Sequence, residues 1–259
     1  ARTAASMGCL LAWLHIALPA VAALSTTLGV RVTPAKTAED LRQAAQAFAV
    51  AFWGDEVSDE SLRSELVRQH QRDMDERYGE LVGARRLSSR LLVARDESGG
   101  ILGLVGCELA VVDASKCCVF PRKRGEAIFN DALAAMGGRQ RNELRKASLP
   151  VLAEALLPAS ACVMPVLSNL AVLPAGRRKG MGRTLCTEVE AVVRGWTERE
   201  GQPMQLLLQV EANNEPARAL YSSLGFSELW TQSDAEASKI VEGRLTAGTT
   251  TLITMAKDL

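Results

Sequence analysis

The sequence predicts an α/β or α+β domain, a sheet covered by helices, and three observations carry the prediction. From residue 30 onward, runs of β-branched and alternating apolar residues trade places with runs at helical spacing. The strand-like runs end in Gly, Pro, Asn or Asp, several of which open the helix that follows. No internal repeat or low-complexity tract interrupts this order. Hydrophobic residues make up 47% of the 259 and charged residues 23%, which suits a soluble protein with a sizeable core. Lys and Arg number 30 and Asp and Glu 30, so no global field draws the chain to nucleic acid or to an anionic membrane.

The elements follow in order. Val30 to Thr33 is a short strand, and Pro34 separates it from a helix over Ala38 to Trp53, where Leu41, Ala44, Ala45, Phe48 and Phe52 share a face. Ser58 or Asp59 caps a second, highly charged helix through Ser61 to Tyr78. Arg90 to Ala94 and Ile101 to Val112 are strands joined by a hairpin turn at Asp96 to Gly100. The next roughly fifty residues, Asp113 to Cys162, break the rhythm. They hold a basic cluster (Arg122, Lys123, Arg124), a Gly137-Gly138 break and two short helices, and they read as a flap or disordered insertion. Regular patterning resumes with a strand at Val163 to Leu173, a helix at Gly180 to Arg199, a strand at Gln205 to Val210 and a helix at Glu215 to Leu224. Strand-like runs at Glu228 to Thr231 and Thr249 to Met255 close the chain.

The six cysteines form no C-x-x-C pair, and His15 and His70 have no neighbouring ligand types, so no metal is expected. No acidic residue precedes Glu39, and Leu10 to Leu24 is apolar but short of the ~20 residues a membrane span needs. Residues 1–28 therefore read as a targeting leader, with no stable span expected in the mature domain of 29–259. An organelle, the plastid first, is the expected destination; the secretory pathway and the cytoplasm are the alternatives.

The chemistry lies between Leu170 and Tyr221. In Leu170-Ala-Val-Leu-Pro-Ala-Gly-Arg-Arg-Lys-Gly-Met-Gly-Arg a strand turns and enters a helix at Arg177-x-x-Gly180-x-Gly182. A helix start offers backbone N–H groups with no internal partner and the positive end of the dipole. With Arg177, Arg178, Lys179 and Arg183 around it, this turn reads as a pyrophosphate cradle. It is neither Gly-x-Gly-x-x-Gly nor a P-loop. Some thirty residues later a second strand ends near Glu211; Asn213 or Asn214 caps a helix, Pro216 sits in its first turn, and Gly225 closes it.

Two successive strand–turn–helix units with these endings resemble the GCN5-related N-acetyltransferase (GNAT) superfamily. The Arg177 to Gly182 turn looks like its motif A, and Asn214, Ala217, Leu220, Tyr221 and Leu224 to Phe226 look like its motif B. The close match spans Leu167 to Phe226. The resemblance implies a mixed, mostly antiparallel central sheet with helices on both faces and two splayed central parallel strands. It also implies acetyl-CoA as co-substrate and no metal. Leu170, Ala171 and Val172 would offer backbone groups to the pantetheine and the acetyl carbonyl. The pyrophosphate would lie on Arg177, Arg178, Lys179, Gly180, Met181, Gly182 and Arg183, and Asn214 would bond the pantetheine arm.

The family's usual acid position holds Tyr221. Ribosomal-protein-type relatives carry a base Glu where this chain has Gln209, so Glu211, two residues on and on the same strand face, is the candidate base. Cys186 reads as helix packing. The expected activity is acetyl transfer to a primary amine of a protein N-terminus or lysine, as in the plastid protein acetyltransferases that the leader and insertion resemble. The alternatives are a small amine (polyamine, amino acid or aminoglycoside) and a non-catalytic CoA-binding module. The expected partners are acetyl-CoA and a protein or peptide amine, without nucleic acid.

Overall fold

A computed structural model describes residues 29–54, 57–79, 86–200, 205–241 and 244–259; the leader expected at 1–28 lies outside them. Strands β1 (Arg31–Pro34), β2 (Ser89–Arg95), β3 (Ile101–Asp113), β4 (Cys118–Phe120), β5 (Ala161–Val172), β6 (Gln205–Glu211), β7 (Ser227–Val241) and β8 (Arg244–Asp258) form one sheet. Its order is β1-β2-β3-β5-β6-β8-β7, with β4 paired to the end of β3. Every pairing is antiparallel except β5 with β6. This is the mixed, mostly antiparallel sheet that the sequence predicts.

Helices cover both faces. On one side lie α1 (Ala38–Trp53) and α2 (Glu60–Tyr78). Thr37 and Asp40 form a capping box at α1, and Asp59 caps α2 by accepting from the Leu62 N–H. The apolar stripe of α1 (Leu41, Ala44, Ala45, Phe48) packs with Leu91, Leu104 and Ala171 of the sheet. On the other side lie α6 (Met181–Glu200) and α7 (Glu215–Ser223). Met181, Leu185, Val189, Val193 and Trp196 of α6 join Cys107, Leu109, Leu206 and Leu208 in the largest core cluster. Each such fully buried Leu or Val contributes about 1.5–3 kcal/mol.

The segment from Asp113 to Cys162 is helical and packed, which corrects the flap expected there. It carries β4 and three helices, α3 (Arg122–Ala134), α4 (Gly138–Leu144) and α5 (Leu149–Leu156). Phe129, Leu133, Leu149 and Leu152 are buried in the main core. Its basic cluster is structural as well. Arg122 is 1% exposed, donating from Nε to the Leu87 carbonyl and from Nη1 to the Arg77 carbonyl. Lys123 pairs with Glu76 of α2 at 2.6 Å, and Arg124 sits over the Phe120 ring. The cluster thus docks the insertion on the C-terminal turn of α2. The final hairpin is also longer than its apolar runs suggest, because most of β7 faces solvent and shows little apolar alternation. Its far end returns to the helices, where Ile240 and Leu245 pack against Ala49, Val57, Leu62 and Leu66.

Candidate functional site

The parallel pairing of β5 and β6 stops at Leu167 opposite Leu208. Beyond it Ser168–Val172 stays on β3 while Gln209–Glu211 stays on β8, so the two strands splay into a wedge. A β-bulge enforces the divergence. Leu104 faces Ala171 but Gly106 faces Ser168, so β5 carries one extra residue there, and Asn169 takes a left-handed φ of +52°.

A cavity of about 700 Å³ opens at the wedge. Leu170, Ala171 and Val172 form one wall; the turn into α6, with Arg178, Gly180, Met181, Gly182 and Arg183, forms a second; Asn214 closes the third. The first bond back into α6 runs from the Thr184 N–H to the Gly180 carbonyl. The N–H groups of Met181, Gly182 and Arg183 therefore have no partner within the helix. Gly180 adopts φ +77°, which an L side chain would strain, so the chain can enter α6 at this angle only with glycine. Such an entrance receives an anion through backbone donors and the helix dipole.

Several residues do other work than the sequence implies. Arg177 lines the cavity, but its guanidinium is spent inside the protein, with Nε on the Val172 carbonyl at 3.1 Å and Nη2 on the Ala51 carbonyl at 2.9 Å. Lys179 lines a separate cavity of about 740 Å³ beside Asp96 and Glu97. A Cβ on Gly182 would stand 3.0 Å from Leu220 Cδ2, so this glycine lets α7 approach α6 rather than simply making room for an anion. Asn214 caps α7, its Oδ1 accepting from the Ala217 N–H, which leaves Nδ2 for a ligand. Arg183 holds the Ser223 hydroxyl at 3.0 Å. Ala51, Phe52, Pro216 and Leu220 also line the cavity. Phe52 was readable only as part of the apolar stripe of α1, yet it is 47% exposed.

Of the two catalytic candidates, Tyr221 is buried against Phe226 (ring centroids 5.9 Å apart), behind the cavity wall that its neighbours Ala217 and Leu220 form. Burial raises its pKa well above the ordinary phenol value, so the hydroxyl keeps its proton at working pH. Glu211 is exposed at the end of β6 and does not line the cavity. Gln209, on the same face, donates to the Thr254 hydroxyl at 3.4 Å. Burial pushes the Cys186 thiol up to about 12, and the residue packs in the core. Among the described residues no group of three His, Cys, Asp or Glu could hold a metal ion. No helix among them is long and apolar enough to cross a membrane.

Residues 161–234, which span β5 through the first half of β7, match the family described as FR47-like protein. The splayed parallel strands, the Arg-x-x-Gly-x-Gly helix entrance and the Asn-capped α7 all lie within this matched segment. Solved structures similar to the chain include the Escherichia coli ribosomal-protein-S18-alanine N-acetyltransferase, at 17% identity over 88% of this chain and 93% of that one, TM-score 0.47. Arabidopsis thaliana NAA60 in complex with acetyl-CoA is another, at 15% identity over 89% and 98%, TM-score 0.48. A third is the Sinorhizobium meliloti phosphinothricin acetyltransferase in complex with AcCoA, at 14% over 90% and 89%, TM-score 0.44. At these identities the likeness concerns the fold alone, and the family match covers residues 161–234. No curated protein matches the sequence.

On the α1–α2 side of the sheet, next to the wedge, lies a polar group that the sequence did not reveal. The Tyr78 hydroxyl pairs with Ser168 Oγ at 2.8 Å and accepts from Asn169 Nδ2 at 3.2 Å. Arg77 reaches Glu108 of β3 at 2.5 Å and Asp73 at 2.9 Å, and Glu108 is only 2% exposed. Burial raises the Glu108 pKa despite the opposing pull of Arg77. A lone Glu in the otherwise apolar run of β3 was the one visible signal; its partners Arg77 and Arg122 lie 31 and 14 residues away in sequence.

Proposed function

We propose that this GNAT domain transfers an acetyl group from acetyl-CoA to a primary amine of a protein, at an N-terminus or a lysine. The observation that carries the reading is the single cavity bounded by the freed edge of β5, the unpartnered N–H groups of α6 and Asn214. A CoA thioester has the matching parts: a pyrophosphate for the helix entrance, an amide-bearing arm for the strand edge and Asn214, and an acyl carbonyl at the wedge.

Each residue then has a task. The backbone at Val172 meets the charge that grows on the thioester oxygen, in a site where a fixed donor counts most. An aliphatic ammonium has a pKa near 10, so a base must take one proton before the nitrogen can attack. Glu211, exposed on the acceptor-facing side of β6, is the carboxylate we assign to that step, by a direct contact or through water. As the new C–N bond forms and the C–S bond breaks, Tyr221 gives its proton to the departing sulfur and regains one from solvent.

A protein acceptor is supported by the resemblance of the acid-free leader and the insertion to plastid-type protein acetyltransferases; the same leader supports an organellar setting. The test is mass spectrometry of a peptide and small-amine library after incubation with the domain and acetyl-CoA. Acetylated peptide N-termini or lysines are the expected result. Modification of small amines alone would move the acceptor class. Cofactor binding without any transfer would make the domain a CoA-binding module.

A further inference from the structure

Ser168 stands at the mouth of the wedge. It is the first residue of β5 after the pairing with β6 ends, and it lies on the sheet face covered by α1 and α2, level with Gly106 of β3. Across the wedge in the same row come Gln209 of β6 and Thr254 of β8. Ser168 and Asn169 are half-buried, so the row is partly open to the acceptor side.

The neighbours of this hydroxyl are constrained from three directions. Tyr78, the last residue of α2, reaches over β3 to pair with it. The reach exists because position 106 has no side chain: a Cβ there would collide with the Tyr78 hydroxyl. Asn169, turned by the bulge into its left-handed conformation, steadies the same hydroxyl from the other side. A non-glycine residue in that conformation is strained, and such strain collects where a side chain must be aimed. Behind Tyr78, the Arg77–Glu108 pair and the buried Arg122 fix the last turn of α2 to β3 and to the insertion.

Resting on the acetyl-transfer reading above, we propose that the Ser168 hydroxyl receives the acceptor amine, and that Tyr78 is a positioning residue acting through it. A hydroxyl has one proton and two lone pairs. When Ser168 donates to Tyr78, its lone pairs are left to accept an N–H of the neutral amine. The nitrogen lone pair is then free to point at the thioester carbon. The pair orients the amine; proton removal stays with the base. Orientation of this kind is worth tenfold or more in rate when the nucleophile must meet one atom.

The test is steady-state kinetics of Ser168→Ala, Tyr78→Phe and the double variant with an acceptor peptide, beside calorimetric titration of acetyl-CoA and thermal melting. Each single variant should lose at least about tenfold in acceptor kcat/KM. The double variant should lose no more than the worse single, because the two hydroxyls act as one unit. Acetyl-CoA Kd and Tm should stay close to wild type, which a merely structural role would not give. The role is overturned if either single variant stays within about twofold of wild type, if the losses multiply in the double, or if Kd rises in parallel. Absence of transfer by the wild-type protein would instead overturn the function and this role with it.

Discussion

In the proposed function, the two sides of the wedge recognise by different means. The cofactor side, from Leu170 to Leu220, presents mainly backbone: a freed strand edge, a helix entrance and a capping asparagine. The proposed acceptor side presents side chains brought from α2, β3, the insertion and β5, held partly by charge-assisted bonds and partly by neutral hydroxyl and amide bonds. Backbone recognition leaves a local signature, since a turn or a cap demands glycine or asparagine at one position. A side-chain network leaves little, here only Glu108 in the apolar run of β3, because its other members are ordinary residues until the fold brings them together. The comparison predicts that damage on one side should move cofactor affinity and damage on the other should move acceptor efficiency.

Tyr221 tests the chemistry that the two sides share. Tyr221→Phe keeps the packing on Phe226 and removes the hydroxyl, so kcat should fall by about 10²–10⁴ with acetyl-CoA Kd little changed. A kcat within about twofold of wild type would reduce Tyr221 to packing. Arg122 comes next. Arg122→Met keeps much of the volume and the backbone N–H that Glu108 accepts from, but abandons the Leu87 and Arg77 carbonyls. Lost bonds to a buried charged group of this kind cost about 3 kcal/mol, read as a lowered denaturation midpoint. Protein that remains folded should show weakened acceptor kcat/KM and an unchanged Kd for acetyl-CoA. A parallel loss of cofactor affinity would blur the division between the two sides.

That division also accounts for what was legible beforehand. The strand and helix order and the α6 entrance follow from turn chemistry and periodicity, Leu170 to Val172 were named from the family resemblance, and the structure brings those three and the entrance to one cavity. The insertion was misread because its helices are short, and Phe129, Leu133 and Leu149 show their purpose only against the sheet. Arg122 to Arg124 looked like a surface charge cluster, since burial of an arginine by main-chain carbonyls cannot be seen along the chain. Arg177 was counted as anion charge for the same reason; its partners, Val172 and Ala51, belong to other elements.

Smaller effects sharpen the picture. At Gly182, a leucine would press on Leu220 and move α7 away from the α6 entrance. Acetyl-CoA Kd from calorimetry should rise roughly thirtyfold, about 2 kcal/mol, and an unchanged Kd would detach the entrance from cofactor binding. The smallest effect is that of His70, which stacks on Trp53 and Phe48 with ring centroids 4.8 Å away in each case. Burial holds its pKa below the ordinary value, outweighing the opposite pull of Asp73. A depressed folded-state pKa adds stability that is present above the unfolded value of about 6.5 and is lost as pH falls below it. Tm should therefore drop on acidification through this range, by roughly a few degrees, and more steeply in wild type than in His70→Phe. Equal slopes would show that the ring stack tolerates the charge.

The account stands or falls on where acetyl-CoA binds, and amide hydrogen exchange with and without it measures that directly. Saturating acetyl-CoA should slow exchange in peptides covering Leu170–Thr184 and Asn214–Leu220, where strand edge, helix entrance and cap meet the ligand. The insertion helices, Arg122–Leu156, should exchange as before. Protection confined to the insertion or to the cavity beside Lys179, with none at Met181 to Arg183, would contradict it.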